Sequence, residues 1–402
     1  MNFFGCEFIY SVRFRKSQRS CQTASSLLDV KPRPLGATYG FLTWSASKRF
    51  LLRMILNKVE CSLMKYLIFA LSTFLFPQVY ATSEVNIYTS RHYDSDAALY
   101  KEFTDLTGIK VNIISGKGPA LLERIKSEGT NSRADIFFTV DAGNLWKVQK
   151  EGLFQPIKSK SVLATVPENL RGPNNEWTAI AKRARVVFYN PKRVSQKEII
   201  DLAYEDLADV AWKNRVVIRS SSNMYNQSLV ASLISNIGLE RTEKWAKGLV
   251  ENFARKPQGN DRSQIMAVAN GEADLAVANS YYFGVMLSGS AGEQQQEAAK
   301  KVRVLFPNQK SRGVHINISG AGILKHSPNS ENANRFLDFL LSPKVQKYMV
   351  DRSYEYPILE EVQPSPEIAG LGLGFKEDDI SVKEFGELNP EAIRLMDRSG
   401  WK

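Results

Sequence analysis

From residue 85 onward the chain alternates short apolar runs with longer segments whose apolar positions recur at helical spacing. The run 85–89 (VNIYT) predicts a strand, 90–94 a turn, and the stretch from Asp96 an amphipathic helix closed by Gly108. The run 110–114 predicts a second strand, ALLERIKSEG a helix ending at Gly129, ADIFFTVD a buried strand and NLWKVQKEG a further helix. In a second block, 183–189 (RARVVFY), 215–218 (RVVI) and 274–278 (DLAVA) read as strands, 227–237 as a helix, and 265–270 lies on a helix. SAGEQQQEAAKK reads as a polar stretch before VRVLFP, 314–318 (VHINI) leads into SGAGILK, and NANRFLDFLLSPKVQKYMV is helical. Strands alternating with helices of this length indicate βαβ units around a parallel sheet. Two extended segments, RARVVFYN and GVHINISGAGILK, look like crossings between lobes. The expected fold class is α/β, with two lobes joined by hinge-crossing strands around a cleft, and ligands of open α/β sheets sit beyond the carboxyl ends of strands.

The formal charge of +11 invites a nucleic-acid reading, so its location matters. Of 53 Lys and Arg, 11 precede residue 82, where only Glu7, Asp29 and Glu60 oppose them; the remainder carries 42 basic and 39 acidic residues. The body is nearly neutral, which argues against a polyphosphate-binding surface. All three cysteines, Cys6, Cys21 and Cys61, lie in the same leading stretch, so the body has no disulfide, zinc-thiolate site or thiol nucleophile. Residues 64–81 (MKYLIFALSTFLFPQVYA) have the order of a secretory signal peptide: a lysine, an apolar run too short to span a bilayer comfortably, Pro77, and Val79-Tyr80-Ala81 as a small-x-small cleavage site. Residues 1–63 are expected to be a non-native upstream extension, with translation starting at Met64.

Candidate chemistry gathers where three predicted strands end. Tyr281-Tyr282 follows DLAVAN at a strand-to-helix turn, where neighbouring side chains can reach one cleft. Ser220-Ser221-Ser222-Asn223-Met224-Tyr225 follows RVVI and precedes a helix, a setting that suits an anion or simple N-capping. Arg91-His92-Tyr93 follows the first strand. Four tyrosines and a histidine at strand ends fit a hard, highly charged cation: iron(III) prefers anionic oxygen, and a bound cation lowers a phenol's pKa from about 10 so that it ionises at neutral pH. Two other classes compete. An anion or polyamine carrier would use the serine-rich loop, although a polyamine needs converging carboxylates and these loops offer only Asp94 and Asp96. A secreted hydrolase would need a catalytic centre; G-x-S-x-G and H-E-x-x-H are missing, while His92, His315 and His326 leave a Ser-His-Asp triad open.

The strings SRHYDSD, TVDAGNLWKVQKEGL, KRARVVFYN, IRSSSNMYNQSLVASLI, FARKPQGNDRSQI and FPNQKSRGVHINISGAG resemble the periplasmic ferric-iron-binding proteins of cyanobacterial-type iron(III) ABC transporters, within the transferrin-like bacterial solute-binding family. The resemblance runs from about residue 84 to 357. It implies a class II periplasmic binding fold, with one lobe from 82–185 and 316–355 and the other from 186–315 and 356–402. It also implies a monomeric, non-enzymatic periplasmic carrier that delivers Fe(III) to a membrane permease. Matched position by position, Tyr93, Tyr225, Tyr281 and Tyr282 are the implied iron ligands, with His92 as a ligand of some relatives, and no synergistic anion is required. Arg183 and Arg185 share one face of a crossing strand and are the implied outer cations, since four phenolates and Fe³⁺ sum to −1 and buried net charge is costly. Position 285 is Val285, where some relatives carry an arginine.

Overall fold

Strand β1 (Glu84–Thr89) opens the part of the chain that the computed structural model describes, residues 83–91 and 93–402. The expected upstream extension 1–63, the signal peptide 64–81 and His92 lie outside the described residues. Helix α1 (Asp96–Thr107) ends where Gly108 turns left-handed at φ +71° and returns its N–H to the Thr104 carbonyl. Strand β2 (Lys110–Ser115), helix α2 (Gly118–Glu128), strand β3 (Ile136–Val140) and helix α3 (Ala142–Lys150) complete the first α/β run. Strand β4 (Trp177–Tyr189), β5 (Val216–Val217), α4 (Met224–Ile237), α5 (Leu239–Glu251), α6 (Asp261–Ala269), β6 (Leu275–Asn279), α7 (Tyr281–Leu287), α8 (Glu293–Lys301) and β7 (Arg303–Leu305) form the second. Strand β8 (Ile316–Leu324) then leads to α9 (Ser330–Leu340), α10 (Pro343–Ser353) and, near the end, α11 (Asn389–Arg398).

The sheet runs β2-β1-β3-β8-β4-β6-β5, with Phe154–Gln155 beside β8 and β7 beside β4. It is mixed, not parallel. The β1–β2, β1–β3 and β5–β6 pairs are parallel, whereas β3–β8, β4–β8 and β4–β6 are antiparallel. The chain crosses out on β4 and back on β8, and two strands laid side by side in opposite senses of travel must pair antiparallel. Strand β4 starts at Trp177, ahead of the expected 183. Its residues are buried on both faces almost throughout, so no polar alternation marks its beginning. The polar stretch before β7 is helix α8, which buries only Ala298 and Ala299 and shows no apolar stripe.

Two apolar cores lie on either side of the crossings. One gathers Val85, Phe103, Phe137, Leu145, Trp177, Ile318 and Phe336. The other gathers Val187, Leu229, Trp245, Ile265, Val277, Ile316 and Trp401. Strand β4 gives Ala179 and Ile180 to the first and Ala184 and Val186 to the second. The chain passes between cores within β4, at the start of β8, and after α10, where Met349 belongs to the first core and Tyr356 to the second. Val382 and Phe385 return to the first core.

Strands β4 and β8 approach closely because Gly320 has no side chain. A Cβ there would lie 2.7 Å from the Thr178 carbonyl oxygen and 2.8 Å from Leu145 Cδ1. The carbonyl belongs to the paired strand and cannot rotate away. Gly320→Ala is expected to cost about 1–3 kcal/mol, read as a lower midpoint in urea unfolding of the metal-free protein.

Candidate metal centre

Three loops at strand ends bring four phenols together. The first follows β1. Its backbone is pinned by Ser90 N–H on the Phe138 carbonyl at 3.0 Å and by Asp96 N–H on the Tyr93 carbonyl at 3.0 Å. Arg91 turns inward from it, donating to Asp96 at 2.9 and 3.3 Å and pairing with Glu355 at 3.4 Å, and its guanidinium lies 4.6 Å from the centre of the Tyr93 ring. The second loop precedes α4. Asn226 holds the Arg219 and Ser220 carbonyls with its amide, at 2.7 and 3.2 Å, and Gln227 holds that of Ser221 at 2.9 Å. Asn226 is itself held by Arg185 at 2.6 Å, so Tyr225, the residue before it, is placed by buried hydrogen bonds. The third loop joins β6 to α7. Ser280 N–H donates to the Ala184 carbonyl at 2.9 Å, which starts α7 against β4 and aims Tyr281 and Tyr282 at the same space.

The Tyr225 and Tyr281 hydroxyls are 3.5 Å apart, and the Tyr281 and Tyr282 rings lie 4.1 Å apart at 31°. Tyr281 is buried; Tyr93, Tyr225 and Tyr282 are half-buried. Burial pushes the Tyr281 phenol well above its ordinary pKa, and the neighbouring phenols of Tyr225, Tyr282 and Tyr93 push it further, against Arg183. Burial and then the Glu355 charge raise Tyr93, opposed by Arg183 and Arg91. Burial, Tyr225 and Asp261 raise Tyr282. Tyr93 and Tyr225 both act on Tyr281, and Tyr225 acts on Tyr93, so phenols from both sides of the crossings share one electrostatic neighbourhood. His92, the remaining residue expected here, is outside the described residues.

Arg183 and Arg185 flank the point where β4 changes partners. Ala184 pairs with Ile316 of β8, and Arg185 with Asn279 of β6. Both arginines are buried at 1% exposure. Arg183 pairs with Glu355 at 3.1 Å and donates to Ser319 at 2.7 Å; its guanidinium stands 5.9 and 5.6 Å from the Tyr225 and Tyr281 rings. Arg183 Nε and Nη1 have no hydrogen-bond partner. Arg185 pairs with Asp261 at 2.8 Å and Asn279 at 3.0 Å, 5.9 Å from the Tyr225 ring. Two further groups escaped the sequence reading. Arg219 pairs with Asp261 at 2.7 Å and lies 5.8 Å from Tyr225, so a cation reaches this side of the cluster although position 285 is valine. Glu355 is buried between Arg91 and Arg183. The position of Arg219 at the carboxyl end of RVVI was the available signal for the first; nothing in the local pattern of SYEYP marks the second.

Among the described residues no group of three or more His, Cys, Asp or Glu is placed to hold a metal ion. Each carboxylate nearest the cluster, Asp96, Asp261 or Glu355, is already bonded to a guanidinium. His315 is buried against Phe385, its ring nitrogens without hydrogen-bond partners, and burial, with Arg185 and Arg312 beside it, pushes its pKa down to about 3. His326 is exposed. Neither forms a Ser-His-Asp arrangement.

Residues 131–369 match the family described as bacterial extracellular solute-binding protein. Iron uptake protein A1 of Synechocystis sp. is 50% identical over 319 residues, 79% of this chain and 88% of that protein. The major ferric iron-binding protein of Neisseria meningitidis is 29% identical, covering 80% of this chain and 94% of its own length. A Trichodesmium protein solved in complex with iron and citrate ligands superimposes with a TM-score of 0.77 at 51% identity, over 80% of this chain and all of that one.

Arg185→Met leaves Asp261 buried with Arg219 as its remaining ion-pair partner. Breaking a buried pair from one side costs about 3–5 kcal/mol, against under about 1 kcal/mol for a surface pair. Chemical unfolding of the metal-free protein is expected to show the larger loss.

Proposed function

This chain belongs to the bacterial extracellular solute-binding protein family, and we propose that it binds iron(III) on the oxygens of Tyr93, Tyr225, Tyr281 and Tyr282 and hands it to the membrane permease of an ABC transporter. The observation that carries this reading is the convergence of four phenols, from loops on both sides of the crossing strands, under a set of buried guanidiniums. Phenolate oxygen is a hard anionic donor, and the nearby guanidiniums offset the negative charge that develops when several phenols ionise around one ion. His92 is proposed as a fifth ligand from the first loop, and Arg183 and Arg185 as the outer cations. A polyamine would need free carboxylates at the cluster, and the three nearest are bound to arginine. The protein acts as a carrier and not as an enzyme; iron is its cargo, and no nucleic acid enters this reading.

The lobes are proposed as 82–185 with 316–355 and 186–315 with 356–402, hinged at the three crossings and closing on the ion as a monomer. The working location is the periplasm, reached through a signal peptide at 64–81. N-terminal sequencing of exported protein is expected to begin near Thr82, and recovery of residues 1–50 in that form would exclude this processing.

Each phenol that coordinates must lose its proton, and burial has already raised the pKa of Tyr93, Tyr281 and Tyr282. Binding releases protons, so affinity rises with pH and falls on acidification. Titration from pH 8 to 5 is expected to release iron and fade a phenolate-to-iron colour band together. The double change Tyr281→Phe with Tyr282→Phe keeps the rings and removes two anionic donors. It is expected to abolish tight iron(III) binding and the band with little change in the unfolding midpoint of the metal-free protein; unchanged binding and colour would place the site elsewhere.

A further inference from the structure

Glu355 ties three elements of this site together. It is fully buried in the third crossing, and each carboxylate oxygen has its own cation: Oε1 meets Arg183 at 3.1 Å and Oε2 meets Arg91 at 3.4 Å. Ser319, on the returning crossing strand β8, donates to Oε1 at 2.6 Å. Arg91 comes from the loop that carries Tyr93, and Arg183 from the strand that lies under Tyr225 and Tyr281. The residues on either side of Glu355 are fixed too. Tyr354 adopts φ +59° and lies on Gly284 of α7, where a Cβ would come 2.6 Å from Tyr354 Cβ and Cγ. Tyr356 exchanges backbone hydrogen bonds with Lys182 of β4, at 2.7 and 2.8 Å. One short segment thus contacts the Tyr93 loop, the Tyr281-Tyr282 helix and both crossing strands.

This arrangement has two consequences. Arg183 is anchored on one side only: Nη2 is taken by Glu355 and Ser319, while Nε and Nη1 have no partner. Its orientation is therefore set by Glu355 together with Ser319, which Glu355 also holds. In addition, Glu355 places a carboxylate, out of water, beside the cluster proposed to hold a trivalent ion. A fixed anion stabilises a trivalent ion more than a divalent one, and in a buried setting that difference is poorly screened.

Resting on the proposed iron site, we propose that Glu355 is a positioning and specificity-determining residue that aims Arg183 at the tyrosine oxygens and biases the site toward iron(III) over iron(II). Its negative charge, and not its shape, carries the bias. Glu355→Gln keeps the size and the acceptor for Ser319 and removes the charge. Glu355→Asp keeps the charge on a shorter arm.

The test is spectroelectrochemical titration of the phenolate-to-iron band in the full-length mature protein, which reads the ratio of iron(III) to iron(II) affinity. E355Q is expected to lower that ratio of order tenfold, the scale of one poorly screened charge nearby, with the reduction potential moving positive. E355D is expected to restore most of the ratio. Removing one member of a buried ion cluster risks misfolding, so the same carboxylate is also removed from R183Q, where the uncompensated guanidinium is gone. Adding E355Q to R183Q must again lower the ratio. An unmoved ratio in every folded E355Q background, with only thermal stability reduced, would overturn the proposal and leave the tyrosine site intact. A wild-type protein that folds but shows no such band would instead refute the tyrosine site, and this inference with it.

Discussion

Arg183 and Arg185 stand two residues apart on one strand, and between them the strand leaves one half of the sheet for the other. Two permanently charged groups at 1% exposure cannot be left alone in a low-dielectric interior. The surrounding structure answers that demand. Glu355 and Ser319 meet the first, from the other two crossings; Asp261, Asn279 and Asn226 meet the second, from α6, β6 and α4. Among these partners, Asn226 directly follows Tyr225 in α4, Asn279 ends the strand that leads to Tyr281 and Tyr282, and Glu355 also pairs with Arg91 of the Tyr93 loop. Satisfying the buried charge and bringing the tyrosines together are the same act of folding.

The phenols complete this balance in a way that depends on the ion. Without a metal, burial and mutual repulsion raise the pKa of Tyr93, Tyr281 and Tyr282, which keeps them protonated and the cleft free of extra negative charge. At the proposed site a trivalent ion would reverse the balance, because each phenolate formed would be attracted to it and to the guanidiniums at once. Carboxylates at the same positions would be ionised at neutral pH with or without a metal. They would pair with the arginines in the empty state and would have to be pulled away. Phenols let the cations stay bonded to Glu355 and Asp261 while the cleft is empty.

The legible part of this design followed from pattern. Strands 85–89 and 274–278 and the tyrosines at their ends were marked by apolar runs that stop at polar loops, and the structure places Tyr93, Tyr225, Tyr281 and Tyr282 in one cluster. The mixed sheet was not legible, because strand direction depends on where the chain goes between strands and not on the residues within them. The beginning of β4 was hidden by burial on both faces, and α8 by exposure nearly all round. Glu355 was hidden for a different reason. It belongs to no strand end or helix face, and its partners are 36, 172 and 264 residues away along the chain.

The two halves also touch in front of the crossings, and the chemistry of that contact bears on opening. Asp141 of the first half, at φ +76°, accepts from Gly143 N–H at 2.9 Å within its own helix start and from Ser228 Oγ of α4 at 2.9 Å across the cleft. The Ser228 bond is a single hydrogen bond to a carboxylate, worth roughly 1.5–3 kcal/mol net in water, and water can replace it when the halves part. The crossings behave oppositely: their buried ion pairs would be left uncompensated by separation. Opening should then proceed by rotation at intact crossings with loss of the front contacts alone. If the proposed site holds, an ion bridging Tyr93 to the three tyrosines opposite would contribute only in the joined state, which is the differential affinity that a hinge needs for a ligand to close it.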